Sequence, residues 1–346
     1  MRNTIESTFF GQLSPEETVT NYRLQNTNGI TLEVLNYGGI IRKLYLPNRQ
    51  GEFENCVLGF DNLEDYQTKS PYFGALVGRF GNRIAKGTFT LDGEVFSLAQ
   101  NLGKHHLHGG IKGFDKVLWS VKEKITPDAV ALELRYTSPH GEEGYPGKLE
   151  TTVVYRLTNE NVLEVVYRAV TDRKTLVNLT QHSYFNLSGN NQNKILDHEL
   201  QLQANHILDV DEELIPTGKL CAVEGTPFDF RTAKTVGQDL EQDNVLLRCG
   251  QGYDHCYCFY PNSNALTQAA ILFHPKSGRK MEVFTTEPAM QLYTANHLAP
   301  PFVSHAAVCL ETQGYPDSPN HPHFPTAVIA PGEEYRSTTQ FKFTIA

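Results

Sequence analysis

Glu311 closes a short apolar run, Val308-Cys309-Leu310, and is followed by a polar segment stiffened by Pro316, Pro319 and Pro322. The position reads as a base held on a rigid strand end, since a free glutamate titrates well below neutrality and, when charged, takes a proton from a hydroxyl held against it. The competing reading is a solvated glutamate at a loop edge. Four further islands carry titratable or polar groups: Thr180–Gly189 around His182, Gly103–Gly110 ending at His108, Gly78–Ile84 with Asn82 and Arg83, and Gly252–His255 with Asp254. Together they describe a pocket for a polyhydroxylated small molecule.

His182 follows an apolar-alternating stretch (Leu176, Asn178, Thr180) and precedes Ser183, Tyr184 and Phe185, so a core histidine satisfied by a carbonyl is one reading. The other is a proton shuttle, because imidazole titrates near neutrality and both gives and recovers a proton within one reaction cycle. His108 precedes Gly109-Gly110, a pair that permits a tight turn and close ligand approach, while His105 and His106 read as surface groups. His106 and His108 are also half of a metal-ligand pattern, but the glutamate such a pattern needs is missing from Gly109–Phe114. Arg83 offers a planar donor fork and Asn82 both a donor and an acceptor. Asp254 and Gln291 are either turn and strand residues or acceptors for hydroxyl groups. Tyr184, Phe185 and Tyr293 are core aromatics or stacking surfaces.

These groups need rigid supports, and the supports read as strands. Val153, Tyr155 and Leu157 alternate, as do Leu163, Val165, Tyr167 and Ala169, and Phe341, Phe343 and Ile345 end the chain in the same pattern. Asp92-Gly93 predicts a primed turn that pairs Phe89 with Phe96. Turns are expected at Thr158–Asn161 and Lys276–Arg279, and a helix only over Thr232–Arg248. The fold class is all-β, either two antiparallel sheets packed face to face or a barrel, with site residues on strand ends and loops. Without a linker or an internal repeat, residues 1–346 are expected to form a single domain.

Composition narrows the function. The chain has 346 residues, 40% hydrophobic and 20% charged, with ample length to bury a core. A net charge of −9 with no basic run argues against nucleic acid. No segment resembles a leader or a membrane span, so a cytoplasmic protein without membrane contact is expected. The six cysteines then read as reduced thiols, and Cys256, Cys258 and Tyr260 as one face of a strand rather than a zinc site.

Six stretches carry a resemblance that spans the chain: Gly78–Ile84, Leu107–Gly110, Glu143-Gly144-Tyr145-Pro146-Gly147, Thr180–Leu187, Gly252–His255 and Glu311–Pro322. In this order they resemble the aldose 1-epimerases, or galactose mutarotases. The resemblance implies a large antiparallel β-sandwich of the galactose mutarotase-like supersandwich type, acting on a free hexose without cofactor or metal, as a monomer or homodimer. It implies Glu311 as the base at the anomeric hydroxyl, His182 as the acid at the ring oxygen and His108 as an assisting histidine. Asn82, Arg83, Ser183, Tyr184, Asp254 and Gln291 would join these three in holding the sugar. A hexose 6-phosphate epimerase, a sugar-binding protein without turnover, and a glycosidase using Glu311 and Asp254 remain as alternatives.

Overall fold

Asp92 and Gly93 both take positive φ, 51° and 83°, the pair of conformations that a type I′ turn requires. They join the strands Thr88–Leu91 and Glu94–Ser97 in the expected register, Phe89 opposite Phe96, with ring centroids 5.3 Å apart. The computed structural model describes residues 2–259 and 265–346.

The alternation in the middle of the chain becomes the centre of a nine-stranded antiparallel sheet. Leu149–Thr158 lies beside Val162–Thr171 with Val153 facing Tyr167, Tyr155 facing Val165 and Leu157 facing Leu163, all buried. Tyr335–Ile345 pairs on the other side of Val162–Thr171; its Phe341 and Phe343 are buried, whereas Ile345 is exposed at the end of the strand. Two further sheets have five strands each. One runs in chain order through Thr4–Ser14, Glu17–Gln25, Thr31–Leu35, Ile41–Pro47 and Phe53–Asn55; the other is ordered Pro216–Ala222, His206–Val210, Asp254–Cys258, Ala289–Tyr293 and Cys309–Gln313. Leu32 and Val34, Val153 and Tyr155, and Tyr257, Leu292 and Leu310 share one buried apolar cluster drawn from all three sheets. Each such side chain contributes about 1.5–3 kcal/mol by leaving water, so the sheets cannot be prised apart cheaply.

The helix expected over Thr232–Arg248 is corrected. Lys234-Thr235 pairs with Glu199–Leu202 as a strand, and Val236 and Gly237 donate their N–H groups to His198 and Leu196 carbonyls. Only Val245–Gly250 is helical, starting where the Asn244 side chain accepts the Leu246 and Leu247 N–H groups. Sheet pairing satisfies the backbone of the first part, so the apolar spacing of Val236 and Leu240 never winds into a helix. A second short helix, Leu63–Thr68, starts on the Asn62 cap and was not anticipated. Cys256 and Cys258 do share a strand face, packed with Leu208, Ala289, Tyr315 and Phe324; Tyr260 lies outside the described residues. Among those residues all six cysteines are free, and no helix is long and apolar enough to cross a membrane.

Candidate active site

Strand register assembles the floor of the site. Gln291 stands opposite Glu311 on one neighbouring strand and opposite Cys256 on the other, while Tyr293 stands between Cys309 and Asp254. Directly opposed residues project from the same face. Glu311, Gln291 and Asp254 therefore share one face, while Leu292 and Leu310 turn to the core. Asp254 Oδ1 accepts the Gln291 Nε2 amide at 2.6 Å and Asp254 Oδ2 pairs with Arg83 Nη2 at 3.1 Å.

His182 arrives from another element. Its N–H donates to the Ala75 carbonyl and its own carbonyl accepts the Gly74 N–H, both at 2.9 Å. The ring stacks on Tyr184 at 5.0 Å and on Tyr72 at 5.9 Å. His182 Nε2 then lies 3.6 Å from Glu311 Oε2. That is beyond a hydrogen bond, and both Glu311 Oε2 and His182 Nδ1 are buried without a partner among the described residues. An unpartnered buried polar group costs about 1–3 kcal/mol, more when charged, so these atoms are stabilised by any hydroxyl-bearing ligand that reaches them.

His108 sits at the apex of a left-handed turn, φ 50°, followed by Gly109 at 86° and Gly110 at 108°. A side chain at Gly109 would place Cβ 1.8 Å from the Gly78 carbonyl, which explains the glycine. The Asn82 N–H donates to His108 Nδ1 at 3.0 Å. That nitrogen must be an unprotonated acceptor, so the neutral ring carries its proton on Nε2. His108 and His182 meet edge to face at 5.2 Å, and one donor atom each from His108, His182 and Glu311 lies within 4.8 Å of the others.

Burial dominates the electrostatics. It raises the Glu311 carboxyl well above its ordinary value; the Asp254 charge adds to this and Arg83 opposes it. It lowers His182 to about 4 and His108 well below the usual imidazole value. Asp254 is the exception: burial alone would raise it, but Arg83 and Gln291 hold it low and ionised. The cluster thus contains one fixed charge pair, Arg83 with Asp254, and one adjacent pair of titratable groups, Glu311 with His182.

Other expectations meet mixed outcomes. Asn82 accepts the Arg83 N–H through Oδ1 at 2.9 Å and so orients its neighbour. Ser183 Oγ is buried without a partner, and no hydrogen bond among the described residues joins that hydroxyl to the other site groups. The Tyr184 hydroxyl is committed to the Pro71 carbonyl at 2.8 Å, which leaves its ring as the wall behind His182. Phe185 is core. His105 and His106 are not surface groups: they are 6% and 0% exposed. His105 Nδ1 accepts the Lys86 N–H, and His106 is held by Tyr145 and the Ala99 carbonyl. Both His106 nitrogens are therefore spent, which removes the His106/His108 ligand pair. Tyr72, at φ 65°, was missed; in sequence it is one aromatic among sixteen tyrosines.

The family model for aldose 1-epimerase matches residues 20–342. Galactose mutarotase of Bos taurus is 45% identical over 339 residues, covering 95% of each chain, and aldose 1-epimerase of Escherichia coli K12 is 35% identical over 92% of this chain and 94% of its own. The solved structure of galactose 1-epimerase from Lactobacillus acidophilus NCFM superposes with a TM-score of 0.89 at 29% identity, covering 99% of both chains. With the match running almost from end to end, the chain belongs to the aldose 1-epimerase family.

Proposed function

We propose that this protein interconverts the α and β anomers of free hexoses such as galactose and glucose, with Glu311 as base and His182 as acid. The observation that carries the reading is the buried pair at 3.6 Å. The two oxygens that must exchange protons, the C1 hydroxyl and the ring oxygen, share one carbon, so the groups serving them must stand side by side. Glu311 takes the C1 hydroxyl proton while His182 gives a proton to the ring oxygen, and the C1–ring oxygen bond breaks to leave an aldehyde. Rotation about C1–C2 presents the other face, and both transfers reverse. His108, donating through Nε2, and the Arg83–Asp254–Gln291 array would hold the remaining hydroxyls, with the chain acting as one domain. Polarimetry on freshly dissolved α-D-galactose tests this: the protein should accelerate the approach to the equilibrium rotation, and binding without acceleration would make it a sugar-binding protein instead. A glycosidase built on Glu311 and Asp254 is disfavoured because both Asp254 oxygens are already engaged, which leaves Asp254 unavailable as the second carboxylate.

The pair functions only while it holds one mobile proton between its two members. The acid limb of kcat/KM reports the arrival of a second proton. Because the Asp254 charge raises both Glu311 and His182, Asp254→Asn should shift that limb to lower pH while weakening sugar binding. A limb that stays or moves upward would show that Asp254 does not act on the pair.

Proton transfer between side chains and sugar supplies about two to four powers of ten per well-placed group and calls for no metal. Exhaustive chelation is therefore expected to leave the rate unchanged. Loss on stripping with recovery on adding zinc would assign the converging His108, His182 and Glu311 atoms to an ion instead.

Free hexoses should also be preferred over hexose 6-phosphates. Arg83 is neutralised by Asp254. Lys116, one of two lysines near the glycine pair, is paired with Asp115 at 3.0 Å and lies over the Tyr72 ring. A phosphate brings about 1.5–2 more negative charges toward Glu311 and Asp254. Specificity constants for galactose, glucose and glucose 6-phosphate decide the matter, and a preference for the ester would move the chain to phosphosugars.

A further inference from the structure

The stretch Glu143-Gly144-Tyr145-Pro146-Gly147 takes no part in the chemistry above, yet it is folded against the loop that carries His108. The Glu143 carboxylate accepts two consecutive backbone N–H groups, Ile111 at Oε2 and Lys112 at Oε1, each at 2.9 Å. These follow directly on Gly109-Gly110. Gly110 lies so close that a Cβ there would stand 2.1 Å from Glu143 Oε2. Two residues on, the Tyr145 hydroxyl meets His106 Nε2 at 2.7 Å, and His106 Nδ1 meets the Ala99 carbonyl at 2.7 Å. The turn is thus gripped two residues before His108 and again three and four residues after it.

The grip is itself anchored. Arg79, 2% exposed, donates to the Pro146 and Gly147 carbonyls at 3.1 and 2.8 Å, and to Ser138 and Pro139 on the strand side of the loop. The loop therefore has a fixed base from which Glu143 can act.

His108 needs such support. A non-glycine residue in the left-handed region is strained and persists only where its surroundings over-determine it. Among the described residues the ring has one hydrogen bond, from the Asn82 N–H to Nδ1, and the direction of Nε2–H follows the backbone of the turn. Carboxylate acceptors on peptide N–H groups are charge-assisted and stronger than neutral ones.

We propose that Glu143 is a positioning residue: by clamping the 111 and 112 peptides it sets the turn that aims His108 Nε2–H at the substrate. The proposal rests on the reading of His108 as a working group. Glu143→Gln keeps the shape but turns an NH2 toward one of the two N–H donors, opening the clamp. Misplacement of a catalytic array by about an ångström costs on the order of a hundredfold, and loss of half the clamp should lower kcat by roughly ten- to a hundredfold.

A double-mutant cycle with His108→Asn tests it, read as kcat, sugar affinity and thermal midpoint, with Glu143→Asp as a second variant should the amide fail to fold. The expected result is a kcat loss larger than the affinity loss in the otherwise native protein, shrinking to less than about twofold when His108 is already asparagine. Equal fold losses in both backgrounds would reveal a merely structural role and overturn the proposal. So would an unimpaired Glu143→Gln beside an impaired His108→Asn, which leaves the reading of His108 intact. An unimpaired His108→Asn would instead overturn that reading, and the proposal with it.

Discussion

Glu311→Gln is expected to remove nearly all rate acceleration, a fall in kcat of about two to four powers of ten, while the fold survives. The amide has the shape of the carboxyl and keeps the strand register opposite Gln291, but it cannot take the C1 hydroxyl proton. Stability should change in the opposite sense to activity. Burial raises the Glu311 carboxyl in the folded state, so its contribution to stability is fully present below the unfolded-state value and is lost as pH rises through the folded one. Glutamine carries no such penalty. The variant should match the native protein in thermal midpoint at acid pH and exceed it at neutral pH. Polarimetry with thermal denaturation at two pH values checks both arms. A folded variant that retained most of the native rate would remove Glu311 from the chemistry.

His182→Asn should reduce turnover far more than sugar affinity, by about a hundredfold or more in kcat. The acid acts on charge that develops at the ring oxygen as the bond breaks, not on the resting sugar, so its loss is felt in the transition state. The imidazole rests in its neutral form near pH 7, since burial brings it down to about 4. On the proposed mechanism the imidazole must therefore gain its proton within the Glu311–His182 pair, and asparagine cannot take this over. Saturation kinetics beside a binding titration separate the possibilities. Affinity lost with turnover unchanged would make His182 a ligand-holding residue and nothing more. Some stability should be lost as well, because the ring stacks on Tyr184 and Tyr72.

The all-β class, the Asp92-Gly93 hairpin and the buried faces of the central strands were legible in the chain, because turn chemistry and period-2 alternation act over a few residues. So were the side chains whose chemistry permits proton transfer, by residue type. The helix over Thr232–Arg248 was misread for the complementary reason. The partner that claimed Lys234-Thr235 as a strand is the distant Glu199–Leu202 segment, and no local pattern announces such a partner.

Histidine shows the division most clearly. His105, His106 and His108 stand almost together in the chain, yet only the glycines after His108 hinted at a different fate. The fold buries all three, spends both nitrogens of His106 on Tyr145 and Ala99, and leaves His108 Nε2 to carry its proton. Residue type determined that acid and base chemistry on a hydroxylated ligand was available to this protein. Tertiary structure alone decided that Glu311 and His182, on separate elements, approach to 3.6 Å, and that Arg83 and Asp254 neutralise each other. The physical reason is that distance and desolvation, which set both proton affinity and reach, are properties of packing between segments far apart in the chain.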